Sequence, residues 1–150
     1  MTVGGELAEL LGRLRPVRRP DTYVFVTVTA PPEPSLHPVM TFTEDEGLTL
    51  VLDRRAADVG QLTYDLVTAW ITLTVHSALA GVGLTAAVSR ALADAGISCN
   101  VIAAAFHDHL FVPAERADDA VRILTDLSAR HRRPPETGDP PTLAMRGPDR

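Results

Sequence analysis

Residues 70–113, WITLTVHSALAGVGLTAAVSRALADAGISCNVIAAAFHDHLFVP, restrict the fold of this chain more than any other stretch. Ile71, Leu73 and Val75 alternate with Thr72, Thr74 and His76, the period of two that marks a half-buried strand. Ala80-Gly81-Val82-Gly83 follows, and its glycines suit a tight turn with close backbone approach. Leu84, Ala87, Val88, Ala91, Leu92 and Ala95 then share one helical face, and Gly96 stands where a C′ glycine ends a helix. A β-rich run from Ile97 to Phe106 is expected to turn at His107-Asp108-His109 into a short strand, Leu110–Val112. The order is β-α-β-β, with glycine at the first crossover.

Upstream, Leu7, Leu10, Leu11 and Leu14 recur at the spacing of an amphipathic helix, which Pro16 and Pro20 close. Tyr23–Thr29 reads as a strand with Val24, Val26 and Val28 on one face. The prolines from Pro31 to Pro38 make a loop, because proline donates no sheet hydrogen bond. Val39–Glu44 and Leu48–Asp53 read as two strands around the acidic turn Glu44-Asp45-Glu46-Gly47, and Arg54–Leu62 as a short helix. Downstream, Ala117, Ala120, Val121, Leu124 and Leu127 define a last helix, with acids in its first turns and Arg130 and His131 at its end. Strand, acidic turn, strand and helix therefore occur at 39–62 and again at 99–131, with Glu44 and Asp108 in matching places. This faint repeat divides the chain into units 1–66 and 67–133, followed by a tail, 134–150, whose proline, glycine and charge predict disorder.

Composition removes several classes. A chain of 150 residues makes one compact body or two very small units with a common core. A net charge of −5 argues against nucleic-acid binding, which needs a concentrated basic face. The single cysteine, Cys99, excludes an internal disulfide framework, and its place in a predicted strand suits a buried, inert thiol. No apolar run approaches the ~18 residues of a membrane span, and the N-terminus lacks a signal pattern, so a cytoplasmic protein is expected.

The segments HSALAGVGLTAA (76–87) and ISCNVIAAAFHDHLFVP (97–113) resemble the C-terminal signature of small proteins that carry two ACT-type units in one chain. FTEDEGLTLVL (42–52) resembles their N-terminal signature, and the likeness covers roughly residues 5–131. More distantly, the pattern is similar to the ACT units of CASTOR-type arginine sensors. The resemblance implies an α+β fold of two ferredoxin-like units, antiparallel sheets with helices on one face, and the binding of an amino acid or other small ligand. An ACT unit runs β-α-β-β-α-β, but here the second half lacks a clear final strand and the first half begins with a helix. Either the units exchange strands, or Pro141–Met145 adds one.

The turn Ser77–Thr85 is the leading site. Unpaired N–H groups at a helix start are partly positive and accept a carboxylate without a charged side chain. The resemblance places ligand contacts here, at Ala80, Gly81, Val82, Gly83 and Leu84, with Ser77 and Thr85 beside them. The same glycines also suit a plain tight crossover. Asp108 is the second candidate: in arginine-sensing relatives an acid of the corresponding turn meets the ligand's cation, while an aspartate is also an ordinary turn former. His107-Asp108-His109 suggests a metal site only if further ligands converge, and no metal or cofactor is expected. No nucleophile triad, phosphate loop or dinucleotide fingerprint is present, so an enzyme is not expected. The leading reading is a regulator that binds an amino acid between ACT units and forms a homodimer, without nucleic-acid or membrane partners. An interaction module without a ligand is the alternative.

Overall fold

The structure, a computed structural model, describes residues 3–75 and 81–132. Its elements in chain order are α1 (Val3–Arg13), β1 (Pro16–Arg18), β2 (Tyr23–Val28), β3 (Met40–Glu44), β4 (Gly47–Asp53), α2 (Arg54–Val59), β5 (Val67–Leu73), α3 (Leu84–Asp94), β6 (Asn100–Ala103), β7 (Asp108–Pro113) and α4 (Ala117–His131). All seven strands join one antiparallel sheet ordered β3-β4-β2-β5-β7-β6, with β1 also paired to β5.

Strand β5 serves two ferredoxin-like units at once. In the first unit β2, β3 and β4 are followed by α2, and β5 returns as the fourth strand beside β2, with Tyr23 opposite Thr68. In the second unit β5 is the first strand, followed by α3, β6, β7 and α4. Its fourth strand comes from the opposite end of the chain: β1 pairs with β5 through Pro16–Leu73, Val17–Thr72 and Arg18–Ile71. This answers the question of the missing last strand. The units do exchange strands, and the donor is the short segment after α1; Pro141–Met145 lies outside the described residues. Pro16 is tolerated because it opens the strand.

The helices lie on one face. Ala69, Ile71 and Leu73 of β5 and Leu110 and Val112 of β7 meet Leu84, Val88 and Leu92 of α3 and Ala120 and Leu124 of α4 in the main core. Leu11 and Leu14, from α1 and the residue just beyond it, enter the same core. Gly12 lets α1 approach α4 closely, since a Cβ there would lie 2.8 Å from the His131 carbonyl oxygen. A smaller core in the first unit joins Val24, Val26, Leu50, Leu52 and Ala57 to Leu36. In that unit the Pro-rich connection, with a single 3-10 turn at Pro34–Leu36, replaces the first helix. It leaves an apolar groove of about 600 Å³ lined by Val28, Pro32, Leu36, Ala56, Val59 and Leu62.

The strand read as half-buried buries Ile71, Leu73 and Val75 and exposes Thr74, although Thr72 is as fully buried as Ile71. Two expectations are corrected. The β-rich run after Gly96 narrows to Asn100–Ala103, and the turn falls at 104–107, closed by the Ala104 N–H donating to the His107 carbonyl at 3.1 Å. Asp108 and His109 are therefore residues of β7, not of the turn. The register also separates Asp108 from its supposed counterpart: Glu44 ends the first strand of its hairpin opposite Gly47, whereas Asp108 begins the second strand of its own, opposite Ala103.

Leu14 is 1% exposed where α1 hands the chain to β1. Leu14→Ala is expected to cost about 2–5 kcal/mol, as large-to-small core changes do. The same change at Val59, which is 86% exposed, stays within about 0.5 kcal/mol. Urea midpoints at constant slope measure both.

Candidate functional site

The crossover from β5 to α3 is built around Gly83. This residue has φ +100°, a left-handed conformation that side chains rarely adopt, and it is the N-cap of α3 without any side-chain hydrogen bond to the helix start. A Cβ on Gly83 would lie 2.8 Å from Leu7 Cδ2, so α1 seats directly on the crossover. Gly83 accepts from the Ala87 N–H at 2.9 Å and begins the helical ladder. Gly81 and Val82 are exposed, Val82 by 71%. Thr85 is also exposed, while the Leu84 side chain is buried in the main core, so only its backbone N–H can face a ligand. Ser77 and Ala80 lie outside the described residues.

Asp108 opens β7 opposite Leu73, the last residue of β5. Alternation along β7 puts it on the face of Leu110 and Val112, under the helices, where it is 6% exposed. Burial raises its carboxyl above the ordinary value, and the neighbouring His109 opposes that only weakly. Among the described residues no side chain or backbone group hydrogen-bonds to this carboxylate. The turn before it is tied to the segment just beyond β5, with His107 Nδ1 3.5 Å from the Val75 carbonyl oxygen. Asp108 therefore stands beside the end of the strand from which the glycine crossover departs.

His109 points the other way, so the sequence His107-Asp108-His109 does not present its side chains on one face of the sheet. Among the described residues no three acidic, histidine or cysteine side chains come together as metal ligands. Cys99 is half-buried, and burial pushes its thiol up to about 11, which leaves it protonated and unreactive at neutral pH.

The helix-free face carries a cluster that residue spacing did not reveal. Trp70 stacks on Phe111, with centroids 5.8 Å apart and planes at 25°, and meets Tyr23 and His109 edge-on. The Trp70 indole N–H donates to His109 Nδ1 at 3.0 Å, which fixes that nitrogen as an acceptor and leaves the ring proton of neutral His109 on Nε2. The Thr72 hydroxyl lies 3.2 Å from the same Nδ1 and accepts from Arg19 Nε at 3.1 Å. The Arg19 guanidinium carbon stands 5.5 Å from the Trp70 ring centre, a cation–π arrangement. Burial lowers the His109 pKa, Arg19 and His107 lower it further, and Asp108 partly offsets them. The sequence signal was the threonine–tryptophan alternation of β5; the partners on β7 and beyond β1 could be found only through the register.

Residues 5–69 match a family model described as an ACT domain, and residues 66–126 match a second model of the same description. The two matches meet in and just before β5. Among solved structures, a protein of unknown function from Vibrio cholerae, described as a possible transport protein, is 43% identical over 85% of this chain and 99% of its own, with a TM-score of 0.77. A protein from Agrobacterium tumefaciens is 17% identical over 77% of this chain and 90% of its own, with a TM-score of 0.61. The ligand-free regulatory subunit of aspartate kinase from Thermus thermophilus is 12% identical over 75% of this chain and 95% of its own, with a TM-score of 0.54. Among curated proteins, none matches at a significant level. No helix among the described residues is long and apolar enough to cross a membrane.

Two outcomes test this geometry. Gly83→Ala is expected to destabilise the fold by about 1–3 kcal/mol through its left-handed backbone, and Leu7→Ala in the same chain restores the part due to the clash. On acidification, Trp70 emission is expected to change as His109 gains a proton and Nδ1 ceases to accept. The midpoint falls below the ordinary histidine value of 6.5, because burial and then the charges of Arg19 and His107 disfavour the charged ring. His109→Gln removes that transition.

Proposed function

From the premise that this chain belongs to the ACT-domain family, with two units in tandem, we propose that it is a regulator that binds an amino acid where the second unit's crossover meets its neighbour. ACT units regulate by binding small molecules and are not catalytic. The aspartate kinase subunit shares the fold at low identity and supports the general role, not a particular ligand. The observation that carries the finer reading is Asp108: a carboxylate 6% exposed, without a hydrogen-bonded partner among the described residues, under the helices at the end of β5.

The recognition chemistry follows from two complementary ends. The N–H groups at the start of α3, together with the backbone of Gly81–Gly83, present partial positive charge to an α-carboxylate. Asp108 presents the opposite charge to an ammonium or guanidinium group, and a charge-assisted hydrogen bond there would replace the hydration that burial removes. Leu7 on Gly83 ties α1 to this region, and α1 leads directly into β1, so a ligand that tightens the crossover favours the packed arrangement of both ends of the chain. Regulation then works by population shift, with the magnitude set by the ligand's differential affinity.

The alternative is an interaction module. Phe42, on edge strand β3, is 63% exposed and suits strand or side-chain docking. Such a module would assemble without responding to amino acids.

Thermal-shift measurements with the D and L amino acids, supplemented by an Asp108→Asn variant, distinguish the two. At a ligand concentration of 100 times Kd the expected stabilisation is about 2.7 kcal/mol. Asp108→Asn loses that response. The variant also has an expected signature without ligand. A carboxyl whose folded pKa is raised binds its proton more tightly when folded, so stability falls as pH rises above the ordinary value of 3.8. Asp108→Asn removes that loss, and its melting temperature at neutral pH should exceed the parent's. No shift with any amino acid at millimolar concentration refutes the sensing proposal.

A further inference from the structure

We propose that the helix-free face of the sheet carries a second ligand site, for a small carboxylate, formed by the Arg19 guanidinium beside Trp70. It lies on the opposite side of the sheet from Asp108 and does not depend on the amino-acid site.

Three observations converge on it. First, Arg19 is exposed yet held in place: Nε bonds the fully buried Thr72 hydroxyl and the guanidinium lies against Trp70. With Nε occupied, its two terminal amino groups remain as a planar fork, the geometry that receives both oxygens of a carboxylate. Second, the Thr72 hydroxyl that holds Arg19 also lies against His109 Nδ1, which the Trp70 indole engages, so the anchor of the guanidinium is itself fixed from the β7 side.

Third, Arg19 has no carboxylate partner among the described residues, although the chain has 19 acidic residues against 14 basic ones. Seven other arginines there pair with carboxylates in eight ion pairs, and Arg15, Arg130 and Arg132 share the lack of one; Arg19 is set apart by its bond to Thr72 and its place against Trp70. Its immediate neighbour Arg18 reaches Asp118 at 2.8 Å. Arg19 instead rests on an aromatic platform that supplies no counter-charge. Most surface arginines lose rotamer freedom when they bind an anion; here Thr72 and Trp70 have already removed much of it. Trp70 and Tyr23, both partly exposed, add apolar contact for a ligand's carbon skeleton.

Trp70 is the only tryptophan in the chain and reports on the site directly. Purified full-length protein is titrated with malonate at pH 7.5 and constant ionic strength, with sodium chloride and inorganic phosphate titrated in parallel. The expected result is a saturable change in Trp70 emission with malonate, at concentrations at least tenfold below those at which either comparison anion acts. Arg19→Gln weakens the response at least tenfold, Arg19→Lys weakens it less, and Arg90→Gln, on the exposed side of α3, leaves it unchanged. A response absent for malonate, equal for chloride or phosphate, or untouched by Arg19→Gln overturns the proposal. An emission change that follows protein concentration instead of malonate, accompanied by larger species in sedimentation, also overturns it and assigns this face to contact between copies.

Discussion

Everything in this molecule depends on β5 being paired along both edges. Its first residues pair with β2, its last with β1, and its whole length with β7. A strand enclosed in this way lies inside the sheet, and five of its seven residues are buried, which suits a run as apolar as VTAWITL. The arrangement also settles why a chain this short can hold two units. Each ferredoxin-like unit needs four strands, and the sharing of β5 and the return of β1 complete the two sets with seven. The cost is that neither unit is closed by its own segment of chain: the second cannot complete its sheet without residues 16–18, nor its helical layer without α1.

That dependence explains the position of the candidate sites. α1 seats Leu7 on Gly83 and Leu14 in the main core, so the crossover of the second unit is braced by the N-terminal helix. Strand alternation then divides the chemistry of β7. Asp108 faces the helices and His109 the open side, one residue apart. A carboxylate placed under helices, with no hydrogen-bonded partner among the described residues, lowers stability when ionised, and a bound cation would offset that cost. A histidine on the other side, by contrast, is satisfied by Trp70 and Thr72 and held neutral.

The legible part of the fold was the part written in local periodicity. The leucines of α1, the valines of β2, the apolar stripe of α3 and the left-handed Gly96 all stand where their spacing put them. Segments defined by pairing were not legible. Pro16-Val17-Arg18 is too short to show a period and begins with a residue that usually breaks sheets; only the unfilled edge of β5 makes it a strand. His107-Asp108-His109 reads as a turn because aspartate and histidine favour turns, but the register of β7 against β5 draws Asp108 and His109 into the ladder. For the same reason the likeness between Glu44 and Asp108 fails in space: one is exposed and accepts from Thr49 at 2.6 Å, the other is enclosed. The Arg19 cluster draws on β5, β7 and the link after β1, and no window of sequence contains it.

The two faces are not electrically independent. Asp108 raises the His109 pKa and His109 lowers that of Asp108, so each group responds to the charge on the other through a single peptide unit. A cation bound at Asp108 would cancel the field that favours protonated His109 and hold the ring more firmly in the neutral form that accepts from Trp70. An anion bound at Arg19 would act in the reverse sense, favouring the protonated His109 ring and, with it, the ionised acid beneath the helices. Linkage requires the two effects to be equal in free energy whichever ligand binds first. A sheet one residue thick, with alternation assigning acid and imidazole to opposite sides, thus contains the elements of a coupling that needs no rearrangement of the backbone.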